Sequence, residues 1–232
     1  MKIEIMTLFP EMCEAVLGES IVGRARKAGK IEVHCRQIRD YSTDKHRRVD
    51  DNPYGGGMGM VMQCQPIYDC YNAVCEELGS KPHTIYMSPK GAVFTQERAI
   101  ELSKMDNILI LCGHYEGVDQ RVIDKIVDEE ISIGDYVLTG GELPAMVVAD
   151  CIARMCPGVL SDDICFEEES IYGGLLEYPH YTRPEIWEGE GIPPVLLTGH
   201  HKNIAQWRHD QSLEITKERR PDLYEKYIKK TD

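Results

Sequence analysis

Residues 83–144 read HTIYMSPKGAVFTQERAIELSKMDNILILCGHYEGVDQRVIDKIVDEEISIGDYVLTGGELP. Within this stretch, apolar runs typical of buried strands alternate with segments of helical periodicity. We predict strands at 83–88, 107–113 and 131–138, with helices near 95–104 and 118–127 between them. Alternation of this kind indicates an α/β fold, in which a mostly parallel sheet is covered by helices on both faces.

The same alternation continues on both sides of this stretch and defines a first domain at residues 1–160. Towards the N-terminus we predict strands at about 2–9, 31–38 and 59–62, and helices at about 11–28 and 65–78. A helix at about 142–155 closes the domain.

The pattern breaks after this helix. Residues 161–170 are acidic and aperiodic, as is typical of a flexible linker or lid. Residues 171–232 predict a small helical domain, with one helix near 201–218 and a last helix that begins at Pro221. Because this domain has few apolar residues, we expect it to pack on another surface, such as that of a second subunit.

The charge of the chain is unevenly distributed. The formal net charge is −13, yet the segment from Arg24 to Arg48 contains nine Lys or Arg and only three acidic residues. From Asp128 to Glu169, eleven acidic residues accompany the single basic residue Arg154. A basic segment in an acidic protein is typical of local phosphate binding, and it is also typical of an ordinary solvated surface, so charge alone leaves both interpretations open.

Composition excludes several other classes of protein. No apolar run approaches the ~18 residues of a membrane span, and the N-terminus lacks a signal-peptide core, so we expect a cytoplasmic protein with no membrane partner. The nine cysteines form no CxxC pair, and the pair His200-His201 has no third ligand at a suitable spacing. We therefore predict no metal-ligand residues.

A glycine-rich segment covers residues 49–60, with four glycines in the five positions 55–59. Glycine allows positive φ and a close approach of the backbone to a ligand. The segment lacks Gly-Lys-Ser/Thr and is followed by a predicted strand, which excludes a phosphate loop and a dinucleotide-binding fingerprint. A tight turn without a ligand and a loop that contacts one both remain open.

Three further glycine-bearing segments follow successive predicted strands, at 86–91, 112–119 and 133–144. Since open α/β sheets bind ligands at the carboxyl ends of their strands, we expect these segments to form one pocket. Backbone groups there can hydrogen-bond a purine edge and a ribose between apolar walls. A structural turn is the alternative for each segment taken alone, and we assign His114 no catalytic role.

Several motifs occur together in a fixed order along the chain. They are Thr7–Pro10, Val49–Asp51 and Pro53–Gly57 with Gly59-Met60, Cys112-Gly113 with Tyr115–Gly117, Ser132–Leu138, Gly140–Met146, Gly174–Leu176, Pro179–Pro184, Trp207-Arg208, Ser212-Leu213 and Arg220–Leu223. In these motifs the sequence resembles the bacterial tRNA (guanine-N1)-methyltransferases of the trefoil-knot (SPOUT) class, over nearly its whole length.

The resemblance implies that the end of the first domain is threaded into a deep trefoil knot that holds S-adenosylmethionine. It implies an obligate homodimer, in which the C-terminal domain of one subunit helps the other to bind tRNA. It also implies methylation of N1 of the guanosine immediately 3′ of the anticodon, assisted by Mg²⁺. A knotted rRNA methyltransferase and a non-enzymatic RNA-binding protein are the competing hypotheses.

The resemblance also assigns roles to individual residues. By position, the pocket for the methyl donor includes Tyr86, Met87, Ser88, Pro89, Gly113, Tyr115, Glu116, Ile133, Gly134, Tyr136, Leu138, Gly140, Gly141 and Pro144. Arg154 corresponds to the arginine that stabilises the substrate.

Methylation of guanine N1 needs a base near N1 and a cation near O6, because a proton leaves N1 and negative charge builds towards O6. Arg154 and the acids of the linker, Asp162, Asp163, Glu167, Glu168 and Glu169, supply both types of group. The base of the family is an aspartate followed by serine, whereas this sequence reads Glu168-Glu169-Ser170. We therefore predict Glu169 as the base, with the longer reach of one extra methylene and with Glu168 as the alternative.

Overall fold

The computed structural model describes residues 1–160 and 169–231. It divides the chain into two compact units, Met1–Asp162 and Asp163–Asp232. Four acids of the predicted linker therefore lie outside the described residues: Asp162, Asp163, Glu167 and Glu168. None of the described helices is both long enough and apolar enough to cross a membrane.

The first unit contains seven of the described strands. They are β1 (Lys2–Thr7), β2 (Glu32–Gln37), β3 (Asp50–Asp51), β4 (Val61–Met62), β5 (His83–Val93), β6 (Asn107–Cys112) and β7 (Glu129–Ser132). Five of them form a sheet in the order β2-β1-β6-β5-β7, and all of its strand pairs are parallel. The remaining two, β3 and β4, pair antiparallel with each other.

Helices connect these strands and cover the sheet. They are α1 (Pro10–Leu17), α2 (Ser20–Lys27), α3 (Cys64–Leu78), α4 (Gln96–Leu102), α5 (Gln120–Ile126) and α6 (Glu142–Ala153). Local chemistry sets their ends: Thr95 and Asp119 accept hydrogen bonds from the backbone as N-caps of α4 and α5, and Gly79 ends α3 in the left-handed conformation.

The central strand β6 shows why the sheet is covered on both sides. Ile108, Ile110 and Cys112 point into one hydrophobic cluster, while Leu109 and Leu111 point into another, and all five are fully buried. A continuous apolar run of this kind is expected for a parallel strand between two layers of helices. The predicted α/β class and mostly parallel sheet are confirmed.

Three of the predicted elements are wrong in detail. The predicted strand 83–88 continues to Val93 as β5, with an irregularity in its pairing between Met87 and Ala92, whereas the helices predicted over 11–28 are present as α1 and α2. The predicted strand 59–62 is reduced to β4, outside the main sheet. The predicted strand 131–138 starts earlier and stops at Ser132, because Gly134 has a φ of 148° and its carbonyl accepts from the Tyr136 N–H in a turn.

The second unit contains a short hairpin and two helices. The hairpin pairs β8 (Ile186–Trp187) with β9 (Glu190–Gly191), and the helices are α7 (His201–Arg219) and α8 (Pro221–Thr231), close to their predicted positions. The segment before the hairpin is hydrogen-bonded to α7 through the buried hydroxyl of Thr216. The Leu176 N–H donates to Thr216 Oγ1 at 2.7 Å, and that hydroxyl donates to the Ser212 carbonyl at 2.6 Å.

We expect Thr216→Val to lower the free energy of unfolding of the second unit by about 1–2 kcal/mol, because the Leu176 N–H loses its buried acceptor. Thr216→Ser keeps the hydroxyl and removes only a methyl group, so it should cost much less. Urea denaturation followed by the fluorescence of Trp187 and Trp207 measures both variants. Equal losses in the two variants would show that the methyl group, not the hydrogen bond, stabilises this site.

Candidate functional site

A cavity of about 350 Å³ opens where the pairing of β5 is interrupted between Met87 and Ala92 and where β6 and β7 end. Its lining comes mainly from three segments, 86–90, 113–120 and 130–144. All fourteen residues that the sequence assigned to the donor pocket are among those that line it. The three glycine-bearing segments thus form one pocket, of a size that suits a small organic ligand.

Two of these segments touch through their backbones. The Gly141 N–H donates to the Gly113 carbonyl at 2.8 Å. A Cβ atom at position 141 would lie 2.8 Å from the Cα of Cys112 and from the backbone nitrogen of Gly113. A Cβ atom at position 113 would lie 2.8 Å from the Tyr86 hydroxyl. Glycine is required at both positions because there is no space for a side chain, and backbone groups therefore line this part of the cavity.

The segment after β7 supplies an apolar wall. Ser132 Oγ accepts from the Gly134 N–H at 3.2 Å, and the Tyr136 side chain closes over Gly134. Beyond this turn, Tyr136, Val137 and Leu138 are 56%, 81% and 37% exposed. Clustered apolar side chains that remain exposed at the mouth of a cavity are typical of a surface that a ligand or partner covers.

Polar groups in the cavity have unusual surroundings. Burial raises the pKa of the Tyr86 hydroxyl, and the Glu130 carboxylate raises it further. Within the part of the chain that the structure describes, Glu130 Oε2 is buried without a hydrogen-bond partner. Because Glu130 lines the cavity, this oxygen lies just behind the cavity surface.

The glycine-rich loop lies against the segment that follows β6, which forms one wall of the cavity. Its four glycines, Gly55, Gly56, Gly57 and Gly59, all have positive φ, between 82° and 130°. The Met60 carbonyl accepts from the Glu116 N–H at 3.0 Å, and a Cβ atom at position 59 would collide with the Glu116 side chain. The loop therefore approaches a cavity residue closely, and it is not only a turn.

One residue of the basic segment also reaches the cavity. Arg39 Nη2 donates to the hydroxyl of Tyr115 at 3.2 Å. In the glycine-rich loop, Tyr54 and Met58 are 100% and 92% exposed. A cationic side chain therefore lies next to a residue that lines the cavity.

Eleven other lining residues were not assigned to the donor individually, although six of them lie in the three segments that we expected to form the pocket. The eleven are Lys90, His114, Gly117, Val118, Gln120, Ile123, Glu130, Ile131, Ser132, Val137 and Thr139. Most are neighbours of predicted residues and follow from position alone. Ile123 on α5 and Glu130 on β7 do not, because only the packing of the helix and the strand against the loops brings them to the cavity.

The two predicted catalytic residues belong to different units. Arg154 ends α6 in the first unit and is not among the residues that line the cavity. Glu169 is partly buried in the second unit, next to Ser170, whose hydroxyl accepts from the Glu177 N–H at 2.9 Å. Ser170 thus stabilises the backbone directly after Glu169, because its hydroxyl accepts a hydrogen bond from a residue seven positions later. Glu168 lies outside the described residues.

Within residues 1–160 and 169–231, no three His, Cys, Asp or Glu side chains are grouped so that they could hold a metal ion. The eight cysteines in these ranges are free thiols. Burial raises the pKa of Cys70 to about 12 and also raises the pKa of Cys112, so both behave as apolar core residues.

Comparison with known proteins gives a consistent result. The family model described as tRNA (Guanine-1)-methyltransferase TrmD matches residues 1–226. The tRNA (guanine-N(1)-)-methyltransferase of Ruminiclostridium cellulolyticum is 59% identical over 226 residues, which cover 97% of both chains. Its counterpart in Lachnospira eligens is 56% identical, with 99% of this chain and 98% of the relative covered. That of Clostridioides difficile is 56% identical, with 97% and 98% covered. The chain therefore belongs to the tRNA (guanine-N1)-methyltransferase family.

Proposed function

We propose that this protein transfers a methyl group from S-adenosylmethionine to N1 of the guanosine immediately 3′ of the anticodon in tRNA, in the cytoplasm. Family membership over nearly the whole chain supports the reaction and the type of RNA. The single observation that carries the donor site is the cavity, because all fourteen residues assigned to the donor line it.

The cavity residues fit S-adenosylmethionine. Other backbone N–H and C=O groups of the three lining segments can bind a purine edge, since the hydrogen bond from Gly141 to Gly113 holds two of these segments together. Ile133 and Leu138 provide apolar contact for the ring. When bound, the donor supplies an electrophilic methyl group on a sulfonium.

The proposed proton transfer depends on two residues. Glu169 accepts the proton from guanine N1, which leaves the nitrogen lone pair free for the methyl group. The Arg154 guanidinium stabilises the charge that develops at O6, as a fixed cation does at a growing oxyanion. The described residues contain no cluster for the Mg²⁺ that the resemblance implies, and we assign this ion no step.

A trefoil knot at the end of the first unit is part of the proposal. Strand β7 lies at one edge of the sheet, and β5 separates it from β6. After β7 the chain returns across β5 to the end of β6, where the Gly141 N–H donates a hydrogen bond to the Gly113 carbonyl. The following helix α6 packs against β1, β6 and α1. This path back across the sheet supports threading of the last segment through an earlier loop.

The homodimer is supported by an apolar surface on α1 and α6, two helices that pack against each other. Met12 and Val16 of α1 are 41% and 55% exposed, and Leu143 and Val147 of α6 are 46% and 50% exposed. Apolar side chains grouped in this way mark a surface that a partner covers. We propose that a second copy of the chain covers them.

The second unit, residues 171–232 in the domain assignment, is proposed to bind tRNA. The Arg208 guanidinium lies 4.7 Å from the centre of the Tyr178 ring, and the rings of Tyr181 and Trp207 are 6.4 Å apart. Aromatic and guanidinium planes on one surface are typical of proteins that stack RNA bases. The acidic residues 161–170 remain assigned as the linker between the two units.

The site should be shared between two subunits. A variant with a ruined donor pocket, Gly141→Val, and a variant of the RNA-binding unit, Arg208→Ala, should each be nearly inactive alone. After subunit exchange, half of the dimers are mixed and each has one intact site, so activity should recover to about a quarter of the wild-type value. Exchange shown by mass spectrometry without any recovery would mean that each subunit is complete by itself.

The activity is tested directly with donor labelled on its methyl group and unmodified tRNA transcripts. We expect label at N1 of the guanosine 3′ of the anticodon, and none in a transcript with adenosine at that position. Transfer to ribosomal RNA alone would support the knotted rRNA methyltransferase. Binding of tRNA without binding of the donor would support the non-enzymatic RNA-binding protein.

A further inference from the structure

Directly behind the cavity lies a buried carboxylate that the proposed chemistry does not use. Glu142, the first residue of α6, is only 3% exposed and does not line the cavity. Thr7 Oγ1 donates to Glu142 Oε1 at 2.8 Å. The same hydroxyl accepts from the Phe9 N–H at 2.9 Å, so it joins the backbone after β1 to the carboxylate.

The second oxygen of this carboxylate faces a cavity residue. Glu142 Oε2 lies 3.9 Å from His114 Nδ1. Among the described residues, that nitrogen is buried without a hydrogen-bond partner. The His114 ring in turn packs against the Phe9 ring, with centroids 5.2 Å apart. The contacts therefore form a closed circuit from Thr7 through Glu142, His114 and Phe9 back to Thr7.

This circuit surrounds a carboxyl group in the interior of the protein. A buried carboxylate is costly unless donors and positive charge surround it. The Thr7 hydroxyl is one such donor, and the N-terminus of α6 provides partial positive charge at the position of Glu142. His114 Nδ1 lies 3.9 Å from the carboxylate, beyond hydrogen-bond distance, so the imidazole packs against the carboxylate without bonding to it.

The circuit also leaves no space for a side chain at position 140, in the loop that precedes α6. A Cβ atom at position 140 would lie 2.7 Å from His114 Nδ1 and would collide with the Glu142 carboxylate. Gly140 is therefore packed against the same pair, on the cavity side. His114 belongs to the segment after β6, and Gly140 to the segment before α6, so one contact joins the two walls of the cavity.

From these contacts we infer that Glu142 is a positioning residue of the methyl-donor site, acting through His114 and Gly140 and held in place by Thr7. This inference rests on the proposed function of the cavity. A ligand site must be held within about 0.5 Å of its productive geometry, and the carboxylate fixes both walls at once. Loss of the Thr7 hydroxyl removes the hydrogen bond that holds the Glu142 carboxylate in place. The segments that contain His114 and Gly140, which form two walls of the cavity, are then free to move.

The test compares variants that differ by single groups. Thr7→Val removes the hydroxyl, and Thr7→Ser keeps it. Glu142→Gln keeps an acceptor for Thr7 but places an NH₂ group opposite His114. Glu4→Gln is the matched control, because Glu4 is a buried carboxylate, 1% exposed, on the same strand as Thr7, and it pairs with Arg36 and does not line the cavity.

We expect Thr7→Val and Glu142→Gln to weaken binding of S-adenosylmethionine by about tenfold or more in calorimetric titration, with a matching rise in the KM for the donor. The KM for tRNA should stay unchanged. Thr7→Ser should bind the donor nearly as tightly as the wild-type protein. Glu4→Gln should lower the unfolding midpoint while donor affinity is retained.

Wild-type donor affinity in both Thr7→Val and Glu142→Gln would overturn the inference. Equal weakening by Glu4→Gln would also overturn it, since the effect would then come from general loss of stability. If Glu142→Gln does not fold, Thr7→Val against Thr7→Ser decides alone. A wild-type protein that does not bind S-adenosylmethionine would instead refute the donor site itself.

Discussion

Replacing Glu169 with glutamine should slow methyl transfer by about 10²–10⁴-fold in a single turnover, the usual contribution of a positioned base. The amide has nearly the same shape as the carboxylate but cannot take the proton from guanine N1. Binding of S-adenosylmethionine and of tRNA should change little, because the side chain keeps its size and shape. Rapid-quench assays with enzyme in excess measure the rate, and filter binding measures the affinity for tRNA.

Two further variants define the position of the base. Glu169→Asp restores the aspartate of the family and should retain most of the activity if the preceding segment absorbs the lost methylene. Glu168→Gln should cost far less than Glu169→Gln. An inactive Glu168 variant beside an active Glu169 variant would show that the register of the assignment is shifted by one residue.

Replacing Gly141 with valine should weaken donor binding by about 100-fold or more, which corresponds to ~3 kcal/mol of overpacking. A side chain at this position meets the backbone at Cys112 and Gly113, which cannot move aside as a side chain can. The hydrogen bond from Gly141 to Gly113 then breaks, and the two walls of the cavity separate. Calorimetric titration with S-adenosylmethionine measures the loss.

The matched control is Gly191→Val. Gly191 has ordinary backbone geometry, and no atom lies within 4 Å of the position that its Cβ would take. This variant should bind the donor as the wild-type protein does, and far-ultraviolet circular dichroism should show that both variants are folded. Unchanged donor binding in a folded Gly141→Val variant would place the donor outside this cavity.

Periodicity and the position of glycines were sufficient to predict where the cavity lies. Buried parallel strands such as β6 are marked by continuous apolar runs, and the segments that follow them meet at one edge of the sheet. The assignment of fourteen residues to the donor also needed the resemblance to a family, because no local pattern distinguishes Tyr86 or Pro144 from other residues near a strand end or a helix start.

Other features depend on contacts between distant residues. Thr7 and Glu142 are 135 positions apart, and nothing in either local sequence shows that the two side chains meet. The early end of β7 has a similar cause, since Val137 and Leu138 continue the apolar pattern of a strand although they belong to an exposed loop. There, apolar side chains suit a ligand surface as well as a core, so the pattern alone predicts the wrong structure.

The strand order has a consequence for the synthesis of the protein. Strand β1 lies between β2 and β6 in the sheet, and β6 begins about 100 residues after β1 ends. At typical rates of translation, β1 therefore waits on the order of ten seconds for its second neighbour. During that time one edge of an apolar strand is unpaired, which favours association with other chains or with chaperones. The early part of the chain is thus the most exposed to aggregation, and newly made protein should be most sensitive to loss of chaperones before residue 112 has emerged.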